Sequence, residues 1–190
     1  MKKRLIFFFL FPLFSFAQTS DTIPPANLST IFDFLVEKEI TEITLEAEFD
    51  SILNSKKFEQ YLDGIFSFID KKNAKKNIPV KIKQRGKYRR RVCNFPPLKL
   101  KFAKKYLRAL ELDIKSSNLK IITHCLEDPY KSKENLLREF LAYKLYEFHS
   151  EKYFRVHLVY VKYKTPNEAR HRFERYAIIL EDVHLSLIHI

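Results

Sequence analysis

The feature that most constrains this chain is an apolar–polar alternation of period two that returns in segment after segment. Ile43, Leu45, Ala47 and Phe49 alternate with Glu42, Thr44, Glu46 and Glu48; Val80 and Ile82 alternate with Lys81 and Lys83; Leu98, Leu100 and Phe102 alternate with Lys99 and Lys101. Successive side chains of a strand point to opposite faces, so each run reads as a strand with one face buried and the other wet. Leu119 and Ile121 begin a further strand that ends near Cys125, and residues 154–163 and 176–180 supply two more, joined by a charged loop containing Pro166.

One segment breaks the period. Over 134–148, Leu136, Leu137, Phe140, Leu141, Leu145 and Phe148 recur at helical spacing, with Ser132 as a fair N-cap and Glu134 in the first turn. Leu137, Phe140, Leu141 and Leu145 are the stripe expected to meet the sheet. Several strands, one helix and two final strands fit an α+β domain with an antiparallel, twisted sheet. Pro96 and Pro97 close a loop, and Gly86 interrupts the basic stretch 85–91, marking a bulge, bend or close backbone approach. With 18 Phe, 10 Tyr and no Trp, aromatic rings must form much of the core.

The first 17 residues have the three parts of a cleavable export signal. Lys2, Lys3 and Arg4 precede an apolar run from Leu5, and Ser15 and Ala17 stand at the cleavage positions. The run is shorter than the roughly 20 residues that span a bilayer, so no transmembrane anchor is expected after cleavage. The expected organisation is a signal over 1–17, an N-terminal linker over 18–39, one domain over 40–184, and a tail over 185–190. That tail resembles translated adapter sequence, so the chain is expected to be a fragment of a longer reading frame. The destination is periplasmic or extracellular.

An exported chain can pair its two cysteines, Cys93 and Cys125; two buried thiols are the other reading. The formal charge is +12, and removing the signal takes away only three basic residues. That excess favours acidic partners by long-range attraction. It is concentrated in Lys81, Lys83, Arg85, Lys87, Arg89, Arg90 and Arg91, with Tyr88 among them. Phosphate contacts plus an aromatic platform are also what single-stranded nucleic acid requires. An exported protein rarely meets nucleic acid, so none is expected as a partner.

Most catalytic templates are missing. Two glycines, Gly64 and Gly86, cannot build a glycine-rich phosphate loop, and there is no G-x-S-x-G elbow. The six histidines lack metal-ligand spacing; His124 beside Cys125 makes two ligands at most, and His171 lies in a charged loop. No metal ligand or catalytic residue is assigned within the chain.

The runs VKIKQRGKYR at 80–89, CNFPPLKLKF at 93–102, LKIITHC at 119–125, LREFLAYKL at 137–145, FRV at 154–156 and YAIILED at 176–182 together carry a resemblance. They look like a group of exported bacterial proteins related to the spore-coat CotH kinase family, over about residues 43–182. The resemblance implies an atypical protein kinase whose N-lobe is a twisted sheet with one helix, and whose metal-binding acids lie beyond this chain. It implies ATP and magnesium as cofactors of the full-length protein, with this fragment inactive alone. In that template Lys99 or Lys101 reaches the nucleotide phosphates and Glu139 pairs with the lysine. Arg85, Gly86 and Glu181 complete the expected cofactor-facing set, Gly86 being all that remains of the phosphate-covering loop. The competing expectation is a non-catalytic module of the periplasm or cell surface that uses the same sheet and its basic loop to hold an acidic partner.

Overall fold

Seven strands share one hydrogen-bonded ladder that closes on itself in the computed structural model, which describes residues 28–54, 60–70, 73–166 and 173–182. The expected signal, the expected tail and His171 lie outside those residues. The strands are β1 (Glu42–Ala47), β2 (Leu62–Ile69), β3 (Lys75–Gln84), β4 (Leu98–Phe102), β5 (Asn118–Ile122), β6 (Val156–Lys164) and β7 (Phe173–Leu180). Around the barrel they run β1-β2-β3-β4-β5-β7-β6, and β6 returns to β1.

This corrects the expected fold class. The α+β reading of an antiparallel twisted sheet with one main helix, resembling a kinase N-lobe, is overturned by a closed, mixed barrel. All neighbours are antiparallel except β1 and β6, which pair in parallel from Glu42↔Tyr160 to Glu46↔Lys164 and so remove both sheet edges. The antiparallel neighbour β2, paired with β1 from Ile43↔Phe68 to Ala47↔Gly64, was not visible as a strand in the sequence.

The alternation explains what fills the barrel. Ile43, Leu45, Val80, Ile82, Leu98, Leu100, Leu119, Ile121, Val161 and Ile179 all turn inward and are buried, as a small barrel with a side-chain-filled interior requires. Phe66 meets Phe102 edge-on at 5.3 Å within it. A second aromatic group joins Phe95 to Tyr163 at 4.9 Å and to Phe173 at 5.2 Å, with Phe49 5.4 Å from Tyr163. Gly64 is needed on β2 because a Cβ there would lie 2.7 Å from Ile82 Cδ1 and 2.8 Å from the Glu46 carbonyl.

Within the expected linker the chain is helical from Ile31 to Glu37 (α1). Thr30 and Asp33 form a capping box, each side chain accepting from the other's backbone amide, and Ile31, Phe32 and Leu35 are buried in the barrel's core. Short helices follow at Phe49–Asn54 (α2), Arg89–Val92 (α3) and Lys104–Ala109 (α4).

The main helix, α5, runs from Pro129 to His149. Its N-cap is Asp128, whose carboxylate accepts from the amides of Tyr130 and Lys131, rather than Ser132, which lies inside the first turn and is buried. It packs on the outside of β5, β6 and β7 through Leu136, Phe140 and Tyr143, against Ile122, Val156, Ile178 and Leu180. The expected stripe is only partly used: Leu141 is 57% exposed and Leu145 53%, and Phe148 stands out at 84%. The helix carries two apolar faces, and the more regular one faces away from the barrel. Among the described residues no helix is long and apolar enough to cross a membrane.

Candidate functional site

Alternation that sends isoleucine and leucine inward necessarily sends the lysines of β3, β4 and β5 outward together. The register then aligns them. Lys83 lies opposite Lys99, and Lys99 opposite Lys120; in the next row Lys81 lies opposite Lys101, and Lys101 opposite Asn118. Like charges directly across a ladder repel and destabilise the pair of strands, so the question is what neutralises each one.

Two are answered by acids. Lys81 reaches Asp63 at 3.0 Å, and Lys120 reaches Asp182 at 3.0 Å. The second pair is largely enclosed, with both side chains 11% exposed. Burial alone would raise the pKa of Asp182; hydrogen bonds from Lys120 and Asn118, with the charges of Lys120 and Lys99, outweigh it and hold the carboxyl below its ordinary value. Among the described residues the others have no carboxylate in ion-pair contact. Lys83 sits over the Tyr61 ring, 4.8 Å from its centroid. Lys99 contributes only at a distance to Asp182, and Lys101 makes no ion pair among the described residues.

Arg85 borders this face where β3 ends. Its backbone amide donates to Pro97 O at 2.8 Å, fixing the strand end against the loop before β4. Its guanidinium is half-buried and finds no hydrogen-bond acceptor among the described residues. Burial, the largest influence, and the nearby Arg89 lower its pKa from the ordinary value, while Tyr143 and Asp182 pull the other way. An arginine stays charged through such a shift, so the site holds a partly desolvated cation without a counter-ion in contact.

The next residues form the rim. Gly86 adopts φ +83°, a conformation open to glycine at no steric cost, and turns the chain from β3 into α3. Arg89 Nη2 then bonds both carboxylate oxygens of Glu139 on α5, at 2.9 and 3.1 Å. Tyr143, one turn further along α5, lies within the fields of Arg85, Arg89 and Glu139; its phenol is raised in pKa by burial first and by Glu139 second. A disulfide between Cys93 and Cys125 fastens the end of α3 to the segment leading into α5, beside the Asn94 amide bonded to Cys125 O at 2.9 Å.

The expected cofactor-facing residues therefore divide. Lys99, Lys101, Arg85 and Gly86 belong to one outward face and its rim. Glu139 is on the same rim, but its carboxylate is held by Arg89 rather than by Lys99 or Lys101. Glu181 is buried in an ionic cluster of its own, accepting from Arg155 Nε at 3.0 Å while Arg155 also bonds Asp33, and the Arg155 guanidinium covers Phe32 at 4.8 Å. Sequence reasoning missed the part played by Asp182, Lys120, Tyr61 and Tyr143. A signal for Lys120 was present, because it has the parity of Lys81, Lys83, Lys99 and Lys101 in an alternating strand; the acid that answers it, 62 residues later, had none.

No three His, Cys, Asp or Glu side chains converge as a metal site among the described residues. Comparison with protein-family models, with curated proteins and with solved structures finds no match to this chain. The CotH-like resemblance rests on its motifs alone.

Proposed function

We propose that the chain is an exported, non-catalytic binding module that holds an acidic protein on the outer face of β3, β4 and β5. The observation that carries this reading is Arg85, a half-buried guanidinium without an acceptor among the described residues, on the same face as Lys83 and Lys99, which also lack a carboxylate in contact among those residues. Arranging cations in this way costs the free protein stability, and a carboxylate-rich surface laid across the face supplies the missing acceptors with charge-assisted hydrogen bonds. Export rests on the tripartite signal. The phosphotransfer reading, with ATP and magnesium, requires Glu139 to pair with Lys99 or Lys101, and Glu139 is bonded to Arg89 instead; the geometry therefore supports binding better than catalysis.

Poly-L-glutamate serves as the probe. It binds the chain in low salt, binding weakens as salt screens the charges, and Lys83→Gln with Lys99→Gln weakens it roughly tenfold, about 1.4 kcal/mol. Lys104→Gln with Lys105→Gln, on α4, removes the same charge and leaves most of the binding. Equal losses in the two double variants would show a non-specific effect of net charge and defeat the reading.

A further inference from the structure

A second site lies on another part of the barrel, between the start of α5 and the paired strands β6 and β7. The cavity there has a volume of about 350 Å³, at the small end of the roughly 300–1,000 Å³ typical of ligand sites. Tyr130, Tyr160 and Tyr176 line it with aromatic surface, and Lys133, Arg175 and His124 line it with nitrogen. Tyr160 and Tyr176 meet edge-to-face at 5.1 Å, and the Lys133 ammonium stands 5.1 Å from the Tyr176 centroid.

The polar groups around this cavity are unevenly satisfied. The one carboxylate lining it among the described residues, Glu174, already accepts from the Tyr160 hydroxyl, and the nearby Asp128 caps α5. Arg175 donates from Nη1 to Glu174 O at 2.8 Å, but its buried Nε has no partner among the described residues. His124, only 8% exposed, stacks on Phe95 at 4.7 Å, and its buried Nδ1 has no partner among the described residues. Burial, helped by the charge of Arg175, pushes the pKa of His124 down to about 4, so the ring is neutral near pH 7. Buried polar atoms without a partner are uncommon in native proteins, and these two lie beneath the surface of residues that line the cavity.

We infer that this cavity binds a small aromatic carboxylate, whose anion is received by Lys133 and Arg175 and whose ring packs among the three tyrosines. The Arg175 guanidinium and the Lys133 ammonium, both of residues that line the cavity, are donors only, so the complementary group must accept; a carboxylate brings two accepting oxygens and the charge to match. The tyrosines favour an aromatic body through edge-to-face and offset contacts. The site is independent of the basic face, sharing none of its residues.

The probe is 2-naphthoate, followed by its own fluorescence, which no tryptophan obscures because the chain has none. Saturable one-to-one binding is expected, with 2-naphthamide about tenfold weaker for want of the charge. Lys133→Met and Arg175→Met should each weaken naphthoate several-fold without changing the amide. Lys133 is exposed, so its variant keeps the test valid if the Arg175 variant is poorly folded. Lys83→Gln with Lys99→Gln should leave naphthoate binding unchanged. No saturable binding, equal affinity for acid and amide, insensitivity to the Lys133 variant, or loss in the Lys83 and Lys99 variant would each overturn the assignment.

Discussion

Lys120 and Asp182 form an enclosed ion pair at 3.0 Å in the one strand row where three lysines stand directly opposite one another. The pair tolerates burial because Asn118 also bonds the carboxylate and Lys99 adds a second positive charge. Removing one partner strands the other, so Lys120→Met should cost about 3–5 kcal/mol, the scale for breaking a buried pair. Urea unfolding at neutral pH checks it; a loss below 1 kcal/mol would mean the pair is solvated.

The same pair gives the protein an acid limit. The pKa values of Asp182 and Asp33 are both lowered from 3.8 on folding, the latter by Arg155 and Thr30 against the opposing effect of burial. A depressed folded-state pKa contributes stability that is present above the unfolded value and is lost as pH falls through the folded one. Stability should therefore decline from about pH 4 downward. Asp33→Asn with Asp182→Asn should be less stable at pH 7 and should show a flatter decline in acid, as read from unfolding free energies across that range.

The two faces of α5 make opposite predictions. Leu136 is 3% exposed and Leu141 is 57% exposed. Leu136→Ala should cost about 2–5 kcal/mol through transfer and cavity effects, whereas Leu141→Ala should stay within about 0.5 kcal/mol of wild type. Comparable losses in denaturant titrations would mean that Leu141 is covered.

Gly64→Ala tests the closeness of β2 to its neighbours. A methyl group there meets backbone as well as the Ile82 side chain, and overpacking of this kind costs about 1–3 kcal/mol. A variant with an unchanged melting temperature would show that β1 and β2 separate freely at that point.

Local pattern reached individual strands but not the barrel. β1, β3 and β4 were legible because one face of each is apolar and the other charged or hydroxylated. β2 was not, because Phe66, Ser67 and Phe68 are buried in succession, with Phe68 covered by Phe34 of α1 at 5.7 Å, and the two-residue period disappears. Closure depends on β1 pairing in parallel with β6 more than a hundred residues away, and no local period encodes that contact. On α5 the stripe expected to meet the sheet was Leu137, Phe140, Leu141 and Leu145, but the barrel uses Leu136, Phe140 and Tyr143. The site was half legible for the same reason. Strand parity put Lys83, Lys99 and Lys101 outward, while the partners of Lys120 and Glu139 came from chain neighbours 62 and 50 residues distant.

The most direct test of the binding face is Arg85→Gln, measured for stability and for poly-L-glutamate affinity on the same preparation. Arg85 is partly desolvated, lies near Arg89 and has no acceptor among the described residues, and the proposed function assigns it to a partner rather than to the fold. The variant should melt no lower than wild type and should lose roughly tenfold in affinity. A variant that is destabilised while its affinity is unchanged would contradict the account, because Arg85 would then be a structural cation and not a binding one.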